Sequence, residues 1–140
     1  MEEAEELEVQ VIETRRRVLG AEHPSTLTSM NNLALTFSNQ GRWKEAEELG
    51  VQVMEISKRV LGAEHPNTLT TMNNLAFVWK DQDWDKEAIA LMKECVRLRE
   101  RVLGLDHPLT SSSRVVLNRW EKENLHSLSF VRRKLLIGKR

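Results

Sequence analysis

Three histidines recur at a fixed interval. His23, His65 and His107 each precede a proline and stand 42 residues apart. Histidine is the commonest metal ligand, so the set raises the question of a metal. A single ion needs its ligands at ~2 Å. One histidine per repeated unit instead places successive rings on separate helical layers, roughly 10 Å apart. The spacing argues against a shared metal and for a role in stabilising turns. Cys95 is the only cysteine. No His–acid pair accompanies it in the pattern, so it reads as a core thiol and not as a nucleophile. Asp81, Asp83 and Asp85 alternate around a turn, but the stretch lacks the glycine and distal glutamate of a calcium loop. No GxxxxGK[ST] phosphate loop occurs. The expectation is a chain without catalysis, without a cofactor or metal and without a small-molecule substrate.

A different polar set remains. At ~100° per residue on a helix, Met30, Leu33, Ala34 and Phe37 share one side of the stretch 25–40. Thr28, Asn31, Asn32, Leu35 and Asn39 lie on the other. The ladder continues as Thr70, Asn73, Asn74, Phe77, Lys80 and Asp81, and then as Ser112, Val115, Arg119 and Lys122. A carboxamide both donates and accepts hydrogen bonds. A row of asparagines could hold the backbone of an extended peptide with little demand on its sequence. The same groups could equally bond between neighbouring units and hold the stack together. The sequence leaves both readings open.

These residues ride on a repeat. Residues 61–76, LGAEHPNTLTTMNNLA, recur at 19–34 as LGAEHPSTLTSMNNLA, with a worn third copy from Leu103. Segments 19–60 and 61–102 are identical at 21 of 42 positions, and 2–20 matches 44–62 at 13 of 19. A period of this length indicates stacked supersecondary units. Each unit reads as two helices. Helix A runs over about 25–40 and 67–82, and helix B over about 43–60 and 84–102. The stretch 2–18 is a B-type helix with Ala4, Leu7, Val11, Ile12 and Val18 at helical spacing, acids first and Arg15–Arg17 last. That charge order suits the helix dipole. Ala46, Leu49, Val53, Ile56 and Val60 form the stripe of the next B helix, and small Ala46 allows close approach. Gly50 disfavours a helix interior by ~1 kcal/mol, which a tight contact with a neighbour would explain. The third helix A, over about 109–123, places Arg114, Asn118 and Glu121 at former core positions, as a terminal capping element requires. The four tryptophans read as packing anchors near helix ends.

Composition agrees with a folded helical chain: 40% hydrophobic, 30% charged, no tyrosine. The formal net charge of zero hides an asymmetry. Residues 1–123 hold all 21 acids against 16 Lys and Arg, whereas 124–140 hold five basic residues and no acid. Arg132, Arg133 and Lys134 read as a solvated end, either helical or frayed, and not as a nucleic-acid or membrane site. The acidic start has no basic n-region followed by an apolar run, and no stretch has the ~18 apolar residues of a span. A reducing, cytoplasmic setting is the expectation.

The spacing of Leu33, Ala34 and Phe37 in helix A and Ala46 in helix B resembles the tetratricopeptide repeat (TPR). The period and the run LGAEHPxTLxxMNNLA…QGRWKEAEEL resemble the longer variant of kinesin light chains. They resemble still more the C-terminal arrays of fungal and bacterial NACHT or NB-ARC receptor-type signalling ATPases. The resemblance covers 2–123, with Glu8 and Gly50 standing where larger apolar residues are usual. It implies an all-α, right-handed solenoid with helices B–A–B–A–B–A. The units are a half repeat at 2–20, repeats at 21–62 and 63–104, a degenerate capping helix at 105–124 and a basic tail at 125–140. It also implies the C-terminal piece of a longer array, with any ATPase module outside the chain. The implied function is a non-catalytic module that binds a protein or peptide in a concave groove lined by the A helices. Asn32 and Asn74 match the position that contacts peptide in related arrays. The alternative is a structural module that self-associates through exposed solenoid ends, since the first B helix has no A partner.

Overall fold

The computed structural model describes residues 2–137. Its elements are α1 (Glu2–Val18), α2 (Pro24–Asn39), α3 (Trp43–Val60), α4 (Pro66–Asp81), α5 (Asp85–Leu103) and α6 (Pro108–Ile137). There is no strand among the described residues. Each helix packs on its neighbour in sequence, and α2 also meets α4. This is an α-solenoid in the expected B–A–B–A–B–A order. Two of the tail's basic residues, Lys139 and Arg140, lie outside the described residues.

The His-Pro pairs start the A helices. Proline takes the first helical position, where its missing N–H has no partner to lose. The ring Nδ1 of the preceding histidine accepts the backbone N–H two residues on, at 3.1 Å in each case: Ser25, Asn67 and Leu109. The three histidines are therefore N-caps, one per layer. At the A-to-B turn, Gly41 has φ +76°, and Asp83 takes φ +63° at the same place in the next unit. Aspartate is among the few residues that tolerate this region, so the second turn keeps its shape without glycine.

Small residues bring the helices together. Ala46, Ala76 and Ala88 are fully buried. A Cβ on Gly50 would lie 3.2 Å from Leu75 Cδ1, so Gly50 marks the close passage of α3 past α4. At the equivalent place in α1, the Glu8 carboxylate accepts a hydrogen bond from Thr36 Oγ1 at 2.7 Å.

The core falls into two clusters. One joins α1, α2 and α3 through Ile12, Leu27, Met30, Leu33 and Val53. The other joins α4, α5 and α6 through Leu69, Met72, Met92, Cys95, Leu117 and Trp120, among others. Cys95 is fully buried, with Sγ 3.4 Å from the Leu69 carbonyl. Burial pushes its thiol pKa up.

The open end at α1 agrees with the sequence reading, and the length of α6 departs from it. The apolar stripe of α1 is mostly uncovered: Ile12 is buried, but Leu7 is 62% and Val11 41% exposed. The cause is that α1 packs against α2 alone. The third A helix does not stop near 123 but runs unbroken to Ile137, because neither glycine nor proline interrupts residues 109–137. Its first half is anchored by Thr110, Ser113, Leu117 and Trp120. Beyond Leu125, the side chains of Leu128, Phe130, Val131, Leu135 and Leu136 are each more than half exposed. Arg114, at a former core position, pairs with Glu100 at 3.0 Å.

Candidate functional site

Six of the fifteen ladder residues come together. Thr28, Asn31, Asn32 and Leu35 of α2 and Thr70 and Asn74 of α4 line one cleft of about 150 Å³. The repeat explains why they meet. Helices α2 and α4 are A helices one period apart and lie side by side, so equivalent residues form parallel rows. Ser57 and Val53 of α3 line the cleft between the two, and Asn67 and Thr71 of α4 complete the lining with Leu27. No charged side chain lines it. Its polar side chains carry hydroxyls and carboxamides. Asn32 also borders a second cleft, with Leu7, Glu8, Val11, Arg15 and Ser29.

The other nine have different surroundings. Asn73 Oδ1 accepts Arg99 Nη1 at 3.4 Å and Ser113 Oγ at 3.2 Å, which ties α4 to α5 and α6. Phe77 packs edge-on against Trp120, with ring centroids 5.1 Å apart. Lys80 pairs with Asp85 at 3.3 Å and Glu123 at 3.5 Å. Asn39, Asp81, Ser112, Val115, Arg119 and Lys122 are exposed and outside the cleft. The ladder thus divides into groups that hold the stack and groups that face open space.

Sequence reasoning passed over Ser57, Asn67 and Thr71. A signal was available. Positions 15, 57 and 99 are equivalent in the repeat, and they read Arg, Ser, Arg. The two arginines both point into the next A helix. Arg15 Nη1 donates to the Ser25 carbonyl at 2.9 Å and to Ser29 Oγ. Arg99 Nη1 donates to the Leu109 carbonyl at 3.4 Å and to Ser113 Oγ.

Exposed ion pairs recur at the outer edge. Arg59 meets Glu22, and one period later Arg101 meets Glu64 at 3.2 Å. Arg42 joins Glu5 at 2.8 Å and also pairs with Glu45. The guanidiniums hold the carboxyls of Glu22 and Glu45 below the ordinary glutamate range, by hydrogen bonding first. Pairs this exposed are screened by water and add little to stability.

The tetratricopeptide repeat family model matches residues 1–25, 26–67 and 68–109. The chain belongs to the tetratricopeptide repeat family. Among solved structures it is similar to a Podosopora anserina protein described as kinesin-light-chain-like, with nearly identical TPR-like repeats. The TM-score is 0.81 and the identity 33%, over 88% of this chain and 58% of that one. A point variant of the same protein gives a TM-score of 0.80 at the same identity and coverage. BtubC (BKLC) of P. vanneervenii shares the fold, with a TM-score of 0.78 at 20% identity, over 86% of this chain and 48% of that one. A search of the curated proteins returns no match. The chain spans 58% of the length of the Podosopora anserina structures. TPR arrays generally mediate protein–protein interaction and are typically non-catalytic. No helix among the described residues is long and apolar enough to cross a membrane.

The division within the TPR ladder is measurable. Asn73→Ala removes the shared acceptor of Arg99 and Ser113, so it should lower the unfolding free energy by about 1–3 kcal/mol. Asn74→Ala, at the cleft, should lower it by less than about 0.5 kcal/mol. Urea unfolding of the two variants tests this, and equal losses would contradict it.

Proposed function

We propose that the chain is a non-catalytic interaction module that binds an extended polypeptide or a helix of a partner protein along its A-helix face. The cleft between α2 and α4 is the centre of that surface. The observation that carries this reading is the lining itself. Asn31, Asn32 and Asn74 present carboxamides, and Thr28 and Thr70 hydroxyls, around a small apolar floor with no charge. Groups that both donate and accept suit the alternating N–H and C=O of a peptide backbone. A solenoid also offers such a face as one continuous surface. The wider protein is a receptor-type signalling ATPase of the NACHT or NB-ARC kind, working in the cytoplasm, with this array as its sensing or autoinhibitory arm. The repeat run that resembles those arrays supports this.

The test uses an array of unrelated short peptides, followed by anisotropy titration of those that bind. The double variant Asn32→Ala, Asn74→Ala should weaken binding by about tenfold or more, with an unchanged melting temperature. Affinity that survives the double exchange would contradict the assignment of the groove.

A second reading has its own observation. The half-open stripe of α1, with Leu7 62% exposed, borders clefts on two sides. An unpaired solenoid end can stack on another copy. Sedimentation velocity over a roughly hundredfold concentration range tests this by mass action. Growth in size that Leu7→Lys, Val11→Lys abolishes supports self-association, and a constant monomer excludes it.

A further inference from the structure

The repeat supplies an internal comparison for the cleft. Arg15, Ser57 and Arg99 occupy one position in three successive B helices. In the last unit the Arg99 guanidinium sits among three neutral acceptors: Asn73 Oδ1 of the preceding A helix, and the Leu109 carbonyl and Ser113 Oγ of the following one. Arg99 is 4% exposed. Neither it nor Arg15 has a carboxylate within ion-pair distance among the described residues. This chain therefore already holds a guanidinium in an uncharged cage of this composition.

The middle unit keeps the cage and lacks the guanidinium. One period earlier than Asn73, Leu109 and Ser113 stand Asn31, Asn67 and Thr71, and all three line the cleft together with Ser57. Serine retains one oxygen at the place from which arginine would extend into this space. The cleft left behind, about 150 Å³, is some ten times the ~15 Å³ that one water needs. It opens on the same face as Asn32 and Asn74.

We infer that this slot receives an arginine side chain of the polypeptide bound along the A-helix face. The guanidinium would donate to Asn31 Oδ1, the Asn67 carbonyl and Thr71 Oγ1, as Arg99 does to their counterparts. Arginine is favoured over lysine because its flat fork offers five N–H donors at fixed angles and is more weakly hydrated than an ammonium. The acidic surplus of residues 1–123 draws a cation towards the array. This inference rests on the proposed groove and gives it a specificity: a partner segment with an arginine anchor.

The experiment is a titration of the ¹⁵N-labelled chain with N-acetyl-arginine amide, N-acetyl-lysine amide and N-acetyl-citrulline amide, followed by NMR. Arginine should give saturable shifts centred on Asn31, Asn67 and Thr71, with Kd on the order of millimolar, and lysine should bind about tenfold more weakly. Citrulline, which is uncharged and has fewer N–H donors, should give no saturable shift. Ser57→Arg should fill the slot from within, abolish the arginine response and raise the melting temperature. Ser57→Ala should retain the response. Equal responses to lysine and arginine, shifts centred elsewhere, or a Ser57→Arg variant that melts lower or still binds would overturn the inference. Peptides that bind the groove in an Asn32- and Asn74-dependent way while arginine amide does not would leave the groove standing and remove the slot alone.

Discussion

Val11 and Val53 are the same residue at the same place in the repeat, yet Val11 is 41% exposed and Val53 1%. The difference is a single helix. α3 is covered by α2 on one side and α4 on the other, whereas α1 packs on α2 alone. In a solenoid each layer is completed only by its neighbours, and every other feature follows from this constraint. It explains why the buried apolar residues form two clusters instead of one central core. It also explains why alanines and Gly50 stand at the crossings, where the next layer must come close. α6 can continue past Leu125 as a helix with no partner, because its first half alone closes the stack.

The same constraint merges stacking and recognition on one surface. The A helices present similar residue types at each layer, and position in the array decides what those residues do. Asn73 is consumed by the α4–α5–α6 contact, because Arg99 and Ser113 reach it. Asn31, its counterpart, borders an open cleft because Ser57 stands in place of the arginine. With serine in place of arginine on the B helix, the space that the guanidinium fills in the last unit is left as a cleft. Neutral acceptors suffice for a buried guanidinium when hydroxyl, carboxamide and carbonyl oxygens converge, since polar burial is tolerated when the group is hydrogen-bonded.

Much of the architecture was legible in the sequence, because period, proline and glycine act locally. The His-Pro pairs, the helix boundaries to within one or two residues and the tight contact implied by Gly50 all follow from short-range rules. The length of α6 was less legible, because absence of a breaker permits a helix without requiring one. The site was only partly legible. A helical wheel places Thr28, Asn31 and Asn32 opposite the core but cannot say which of them a neighbouring layer covers. Phe77 shows the gap: its wheel position faces away from its own core, yet Trp120 of the third A helix packs against it. Ser57 was missed for the converse reason. It lies on a B helix, outside the ladder, and its meaning emerges only when the three units are aligned and the arginines above and below are seen in place.

Native-state hydrogen exchange across the whole chain measures the central claim most directly, because exchange reports local opening layer by layer. The account requires the slowest amides in α4 and α5, around Met72, Leu75, Met92 and Cys95, where both neighbours are present. It requires faster exchange in α1, whose stripe is half uncovered, and the fastest in the second half of α6. Uniform protection from α1 to α6, or an α1 as slow as α5, would mean that the layers are not held by their neighbours, and the nearest-neighbour description would have to be abandoned.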